Sequence, residues 1–262
     1  MLLTENQLDT WVRGHAREAQ GVTVELVWRL VAASSPRPKE RRFPLGDSIG
    51  QHGPDGVLDV DYPFDPFVPE GRSFWEIGTG EKPGEKATED YDGLVSGIPA
   101  DERVQSTFVF VTPVSGRRNF PHTWKDDAQA TWLRNRKSTG DWLDVRVIDG
   151  TKLVDWLRQF RPVEMWLANI IRGLSAEHVE TPEQRWSLLR GYGEPPSLAP
   201  ALFLANRDEA HARIKEVFSG TSIQLKLDTH FPGQVADFVS AALQDLDEVS
   251  RVDAAGRCLI IS

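Results

Sequence analysis

The stretch that decides the fold is Gly53-Pro54-Asp55-Gly56-Val57-Leu58-Asp59-Val60, followed after a proline-rich connection (residues 61–72) by Ser73-Phe74-Trp75-Glu76-Ile77-Gly78. Each run is short, rich in β-branched and aromatic residues, and bounded by glycine or proline. This predicts neighbouring antiparallel strands at Val57–Val60 and Ser73–Gly78. Asp55 opens the first strand and Glu76 lies near the end of the second, so pairing brings two carboxylates to one sheet edge. Mg²⁺ asks for such hard oxygen ligands, with positions left for water and phosphate oxygens. A lysine nearby, Lys86 or its rival Lys82 in Gly80-Glu81-Lys82-Pro83-Gly84-Glu85-Lys86-Ala87, holds an attacking water and offsets charge on a pentacovalent phosphate. Asp between Pro and Gly is also ordinary turn composition. Glu76 inside an aromatic strand is harder to explain that way, because burying it without a partner is costly.

Working outward, residues 4–20 and 22–33 read as helices, the second with Val22, Leu26, Leu30 and Ala33 on one face. Ser34-Ser35-Pro36 ends it, and loop follows to the first strand. Downstream, Glu85–Leu94 reads as a helix with Pro83 near its first turn. Thr107–Thr112, uncharged and nearly all β-branched or aromatic, reads as a fully buried central strand. Asp144–Ile148 is the next strand. A helix over Thr151–Phe160 follows, capped by Asp149 or Thr151, and another runs from Pro162 to about Arg172. The order implies an α/β or α+β layer structure: a mixed sheet flanked by helices over residues 1–172. Residues 173–206, irregular and holding four prolines, read as a linker. Residues 207–262 read as a partial second α/β unit: a helix at 207–218, a strand at Ile223–Leu227, a helix near 233–244 and a strand at Cys258–Ile261. The expectation is a piece of a longer protein.

Composition bounds the function. The chain has 262 residues, a net charge of −9 and one cysteine, Cys258, which excludes a disulfide framework and a Cys-based zinc site. No apolar run approaches the roughly 18 residues of a membrane span. The first residues carry Glu5 and Asp9 without a basic segment, so no signal peptide is read and a cytoplasmic protein is expected. Residues 43–105 hold 14 acidic against 4 basic side chains, and residues 106–172 hold 11 basic against 7 acidic. A carboxylate-dense block beside a basic one suits a metal site next to a polyanion surface. Arg117, Arg118, Arg134, Arg136 and Lys137 read as loop residues able to neutralise DNA phosphates. His52 and His122 receive no role, and Trp75, Trp124, Trp132, Trp142 and Trp156 are too scattered for a base-stacking platform and read as core or helix-packing residues. Neither a phosphate-cradling G-x-x-x-x-G-K-[ST] sequence nor a G-x-S-x-G nucleophile elbow occurs.

Pro54-Asp55 followed by Glu76 resembles the PD-(D/E)xK restriction-endonuclease-like pattern, in which a helix precedes an antiparallel pair carrying the acids, then a helix and a further strand. More specifically, Pro54-Asp55-Gly56, residues 67–79, 86–91, 107–113, 142–157 and 163–168 resemble the Mrr-like N-terminal nuclease region of bacterial anti-phage STAND NTPases of the AVAST group. The segment from Thr181 to Ala210 is similar to the stretch leading toward the ATPase of such proteins. The resemblance implies a Mg²⁺- or Mn²⁺-dependent deoxyribonuclease that cuts double-stranded DNA with little sequence preference. Asp55 and Glu76 would be metal ligands, Lys86 the catalytic lysine moved onto the helix, and Glu25 an accessory acid. It further implies a homo-oligomer formed through regions beyond this chain, a phage-derived trigger and no membrane partner. The chain departs from the pattern at Gly78, where Glu-x-Lys has lysine, and at Asp92-Gly93-Leu94, where a basic segment is expected. The alternative is therefore a catalytically inactive nuclease-fold scaffold or partner-binding domain. A third class is a nucleotide sensor or small-molecule phosphohydrolase in the second unit.

Overall fold

The structure of the chain, a computed structural model, describes residues 2–35, 38–44, 53–115, 124–173, 179–190, 199–219, 224–229 and 231–261. It divides into two units, Met1–Gln159 and Phe160–Ser262.

The first unit begins with α1 (Glu5–Gly14), opened by a capping box in which Thr4 accepts from the Gln7 backbone and the Gln7 side chain accepts from the Thr4 backbone. After it comes α2 (Ala16–Ser34). The helix boundary lies at Gly14-His15 and not at Gly21, where the sequence placed it. Gly21 is carried inside α2 because the helix buries Thr23, Val24 and the run Leu26–Ala33, which outweighs a glycine penalty of about 1 kcal/mol. Five strands then form one sheet in the order β1 (Glu40–Arg42), β2 (Gly56–Val60), β3 (Gly71–Ile77), β4 (Thr107–Val111), β5 (Asp144–Ile148). The first three are antiparallel; β3, β4 and β5 are parallel. Parallel neighbours need crossovers. Helices α3 (Pro83–Gly97) and α4 (Ala100–Arg103) lie between β3 and β4, and α5 (Asp126–Thr139) between β4 and β5. The chain is thus mixed α/β with a five-stranded mixed sheet flanked by helices.

Every residue of β4 is buried, as expected of a central strand. Alternation splits the side chains between two faces. On one face Phe74, Phe108, Phe110, Val145 and Val147 pack with Ala87, Tyr91 and Leu94 of α3 and with Trp124 and Trp142. On the other, the Trp75 ring meets Phe43 and Trp156, the latter from α6 (Gly150–Leu157), whose N-cap Asp149 accepts from Lys152 N. Trp75, Trp124, Trp142 and Trp156 are core residues and Trp132 packs partly buried against them, in line with the packing role read for them.

Residues 134–137, expected as loop, lie in α5. Its sequence has no apolar stripe and buries only Gln129, so periodicity could not reveal it; Gly140 in the left-handed region (φ 71°) ends it.

The second unit begins with α7 (Arg161–Arg172), opened by Pro162. Then follow β6 (Val179–Glu180), α8 (Pro182–Arg190), α9 (Ala201–Leu204), α10 (Asp208–Phe218), α11 (Pro232–Gln244), α12 (Glu248–Ala255) and β7 (Ile260–Ile261). Helix α8 occupies part of the segment read as irregular linker, and Trp186 from it joins Ile214, Phe218, Phe238 and Leu243 in the core. Residues 224–227 form no strand: the alternation is present, but among the described residues no edge pairs with it. Ile223 lies outside the described residues. Of the expected strand at 258–261 only β7 forms, antiparallel to β6. Among the described residues no helix is long and apolar enough to cross a membrane.

Candidate active site

The antiparallel register decides the site. Gly56 lies opposite Trp75, so the next position of each chain places Asp55 opposite Glu76. Residues facing one another across an antiparallel pair share a sheet face at about 5 Å. The two carboxylates meet: Glu76 shares a hydrogen bond with Asp55, while Asp55 Oδ2 also accepts from Ile77 N at 2.8 Å. That backbone bond makes Asp55 more than a turn residue, because it fastens the start of β2 to the end of β3. On its other side Glu76 is in register with Phe110 of β4, so an aromatic wall excludes water from it.

Glycine stands at position 78, and its surroundings explain why. A Cβ there would lie 2.8 Å from Phe110 Cζ and 3.1 Å from Lys86 Cγ. The Phe110 ring and the lysine stem arriving from α3 together crowd the space a side chain at 78 would need. Lys86 Nζ is bonded to Asp90 Oδ1 at 2.5 Å, one helical turn on. The rival Lys82 is exposed and paired with Glu85 at 2.9 Å.

These groups line one cleft of about 590 Å³, with Asp55 and Glu76 from the sheet, Lys86, Glu89 and Asp90 from α3, and Gln20 and Val24 from α2. Burial, reinforced by the charges of Asp55 and Asp90 and the bond to Asp55, pushes the Glu76 carboxyl up to about 9. Burial also raises Asp90, against the pull of Lys86. Burial pulls Lys86 down, but its bond to Asp90 and the neighbouring Glu89 and Glu76 outweigh this and hold it above the ordinary lysine value, hence charged.

Among the described residues no three His, Cys, Asp or Glu side chains are gathered into a ready metal-ligand group. Asp55 and Glu76 do form a pair, which is what Mg²⁺ takes from protein while keeping several waters. The fit to a hard cation is supported by an orphan: Asp90 Oδ2 is buried without a hydrogen-bond partner. A buried carboxylate oxygen left unpaired is costly, and a cation or its hydration shell relieves that cost.

Other sequence candidates sit elsewhere. Glu25 is bound to Arg29 on its own helix at 2.9 Å, and α2 contributes Gln20 and Val24 to the cleft in its place. Arg136 stacks over Tyr91 at 4.6 Å and pairs with Asp92 at 3.0 Å, and Lys137 pairs with Asp144 at 2.7 Å. Arg134 is exposed and donates to Thr131. Arg117, Arg118, His52 and His122 lie outside the described residues. Sequence reasoning missed Asp90 and Gln20; the i,i+4 spacing of Lys86 and Asp90 was the available signal for the former. In the second unit a cavity of about 830 Å³ is mainly apolar; of its charged lining residues Glu180 and Arg185 are paired with each other at 3.4 Å, and Lys226 also faces it. No protein-family model matches the chain, and no curated protein or solved structure matches it.

Proposed function

We propose that the first unit is a metal-dependent phosphodiesterase that cuts DNA, of the restriction-endonuclease-like kind its sequence resembles. The observation that carries this reading is the convergence, in one cleft, of the cross-strand Asp55–Glu76 pair and a lysine whose stem passes close against Gly78. The reading gives each residue a role. Asp55 and Glu76, the latter giving up its proton to solvent, would hold Mg²⁺ or Mn²⁺, and the ion would supply Lewis-acid polarisation of a phosphate oxygen. The Lys86 ammonium orients a water for in-line attack on phosphorus and offsets the charge gathering on the non-bridging oxygens. Phe110 and the aromatic wall keep bulk water from the pair, strengthening every electrostatic contact within it. As the water oxygen bonds to phosphorus, the bond to the leaving 3′- or 5′-oxygen breaks; the attacking water releases a proton to solvent at the cleft mouth, and the leaving oxygen takes one from it. Double-stranded DNA as substrate, a homo-oligomeric active form and a role in anti-phage defence rest on the sequence resemblance.

The test is incubation of supercoiled plasmid with the chain fused to an oligomerisation domain, as wild type and as Glu76→Ala, with Mg²⁺, Mn²⁺ or EDTA. The reading expects nicking or linearisation by the wild type that EDTA and Glu76→Ala each abolish. No cleavage under any condition, with no divalent-ion effect on melting, would leave the scaffold reading standing.

A further inference from the structure

The sequence resemblance assigns Asp90 no role, yet its carboxylate is divided in an informative way. Its side chain is only 8% exposed. Oδ1 holds Lys86 Nζ. Oδ2 is buried and has no partner, although the residue lines the same cleft as Asp55 and Glu76. If Asp90 served only to anchor Lys86, a second oxygen sealed from water would be pure cost, since an unsatisfied buried acceptor destabilises the fold. Gly93 and Gly97, both lining the cleft, are exposed and have nothing within 4 Å of where a Cβ would stand, so the cleft is open to solvent along this helix and a side-chain shift at Asp90 is all that separates Oδ2 from it.

Resting on the phosphodiesterase reading of this cleft, we propose that Asp90 is a third, outer carboxylate of the cation site: Oδ2 accepts a hydrogen bond from a water of hydration of the divalent ion held by Asp55 and Glu76, while Oδ1 positions Lys86. Two facts favour contact through water over direct ligation. The three acids are not gathered closely enough to form a ready three-ligand group, and Mg²⁺ gives up its waters reluctantly. One carboxylate would then join the ion and the lysine, so that cation binding and lysine placement are coupled through a single residue.

The experiment is calorimetric titration of the EDTA-treated full chain with Mn²⁺ and Mg²⁺, in the wild type, Glu76→Gln, Asp90→Asn and Asp90→Glu, with metal-free melting curves confirming that each variant folds. The wild type should bind, Glu76→Gln should not, and Asp90→Asn should bind about 10- to 100-fold more weakly, as the loss of an outer-shell partner does elsewhere. Asp90→Glu, which keeps the charge, should recover most of the affinity. Should Asp90→Asn fail to fold, Asp90→Ser takes its place with the same loss expected. Wild-type affinity in the neutral Asp90 variant, beside none in Glu76→Gln, overturns the role of Asp90 and leaves the Asp55–Glu76 pair intact. No binding by the wild type overturns the reading of the pair itself, and this proposal with it.

Discussion

Replacing Glu76 with glutamine should make the metal-free protein more stable, and increasingly so as pH rises. In the folded chain burial, helped by Asp55 and Asp90, lifts the Glu76 carboxyl from an ordinary 4.5 to about 9. A folded-state value above the unfolded one means that the native state holds a proton the unfolded chain has released. The stability associated with that proton is therefore fully present below pH 4.5 and is lost progressively up to pH 9. Each unit of pH within the window removes about 1.4 kcal/mol, so at pH 7.5 the wild type carries a penalty of up to about 4 kcal/mol. Glutamine keeps the shape, donates to Asp55 and does not titrate. Melting temperatures of wild type and Glu76→Gln measured from pH 5 to 8.5 in EDTA should diverge by about 3–5 °C per pH unit, the variant being higher. Added Mn²⁺ should close the gap by raising only the wild type. Parallel pH curves would refute the reasoning, because they would mean that Glu76 is ionised in the native cleft at neutral pH.

Other expectations follow from the same contacts. Lys86→Met should retain the fold but lower plasmid cleavage at least 100-fold, the usual scale for one positioned group that stabilises transition-state charge. Gly78→Ala forces a methyl to within 2.8 Å of the buried Phe110 ring and against the Lys86 stem, so it should lower stability by about 1–3 kcal/mol in chemical denaturation and reduce cleavage too. Gly150→Ala, far from the cleft residues in sequence, meets the Pro113 carbonyl oxygen at 2.5 Å; it should destabilise at least as much, measured the same way. Arg136→Ala should lower the melting temperature through lost stacking on Tyr91 and Trp132 while leaving the salt dependence of DNA binding unchanged, because its charge is already matched by Asp92.

Much of the sheet was legible because β2, β3, β4 and β5 are compact runs of β-branched and aromatic residues closed by glycine, proline or charge. The antiparallel partnership of β2 and β3 followed from the turn-rich connection alone, and with it the meeting of Asp55 and Glu76. What the sequence did not carry was anything set by three-dimensional neighbours. Helix α5 fully buries one glutamine and packs Trp132 and Leu133 partly buried against the core, beside Arg136 stacked on Tyr91, so its apolar residues are too few to show a hydrophobic period. Gln224-Leu225-Lys226-Leu227 alternates like a strand and finds no edge, whereas Val179-Glu180, with no strand signal, pairs with β7. Asp90 looked like one more acid in a charged helix; only its burial and its divided hydrogen bonding set it apart. The glycine at 78 read as a lost lysine, while its environment makes it the residue that admits Lys86.

The most direct test of the account is anomalous diffraction from crystals of the chain soaked in Mn²⁺. The account predicts a single strong peak between the Asp55 and Glu76 carboxylates, at about 2.0–2.2 Å from an oxygen of each, on the side facing Lys86 and Asp90. Ordered crystals with no peak there, or with manganese bound only elsewhere, would contradict it.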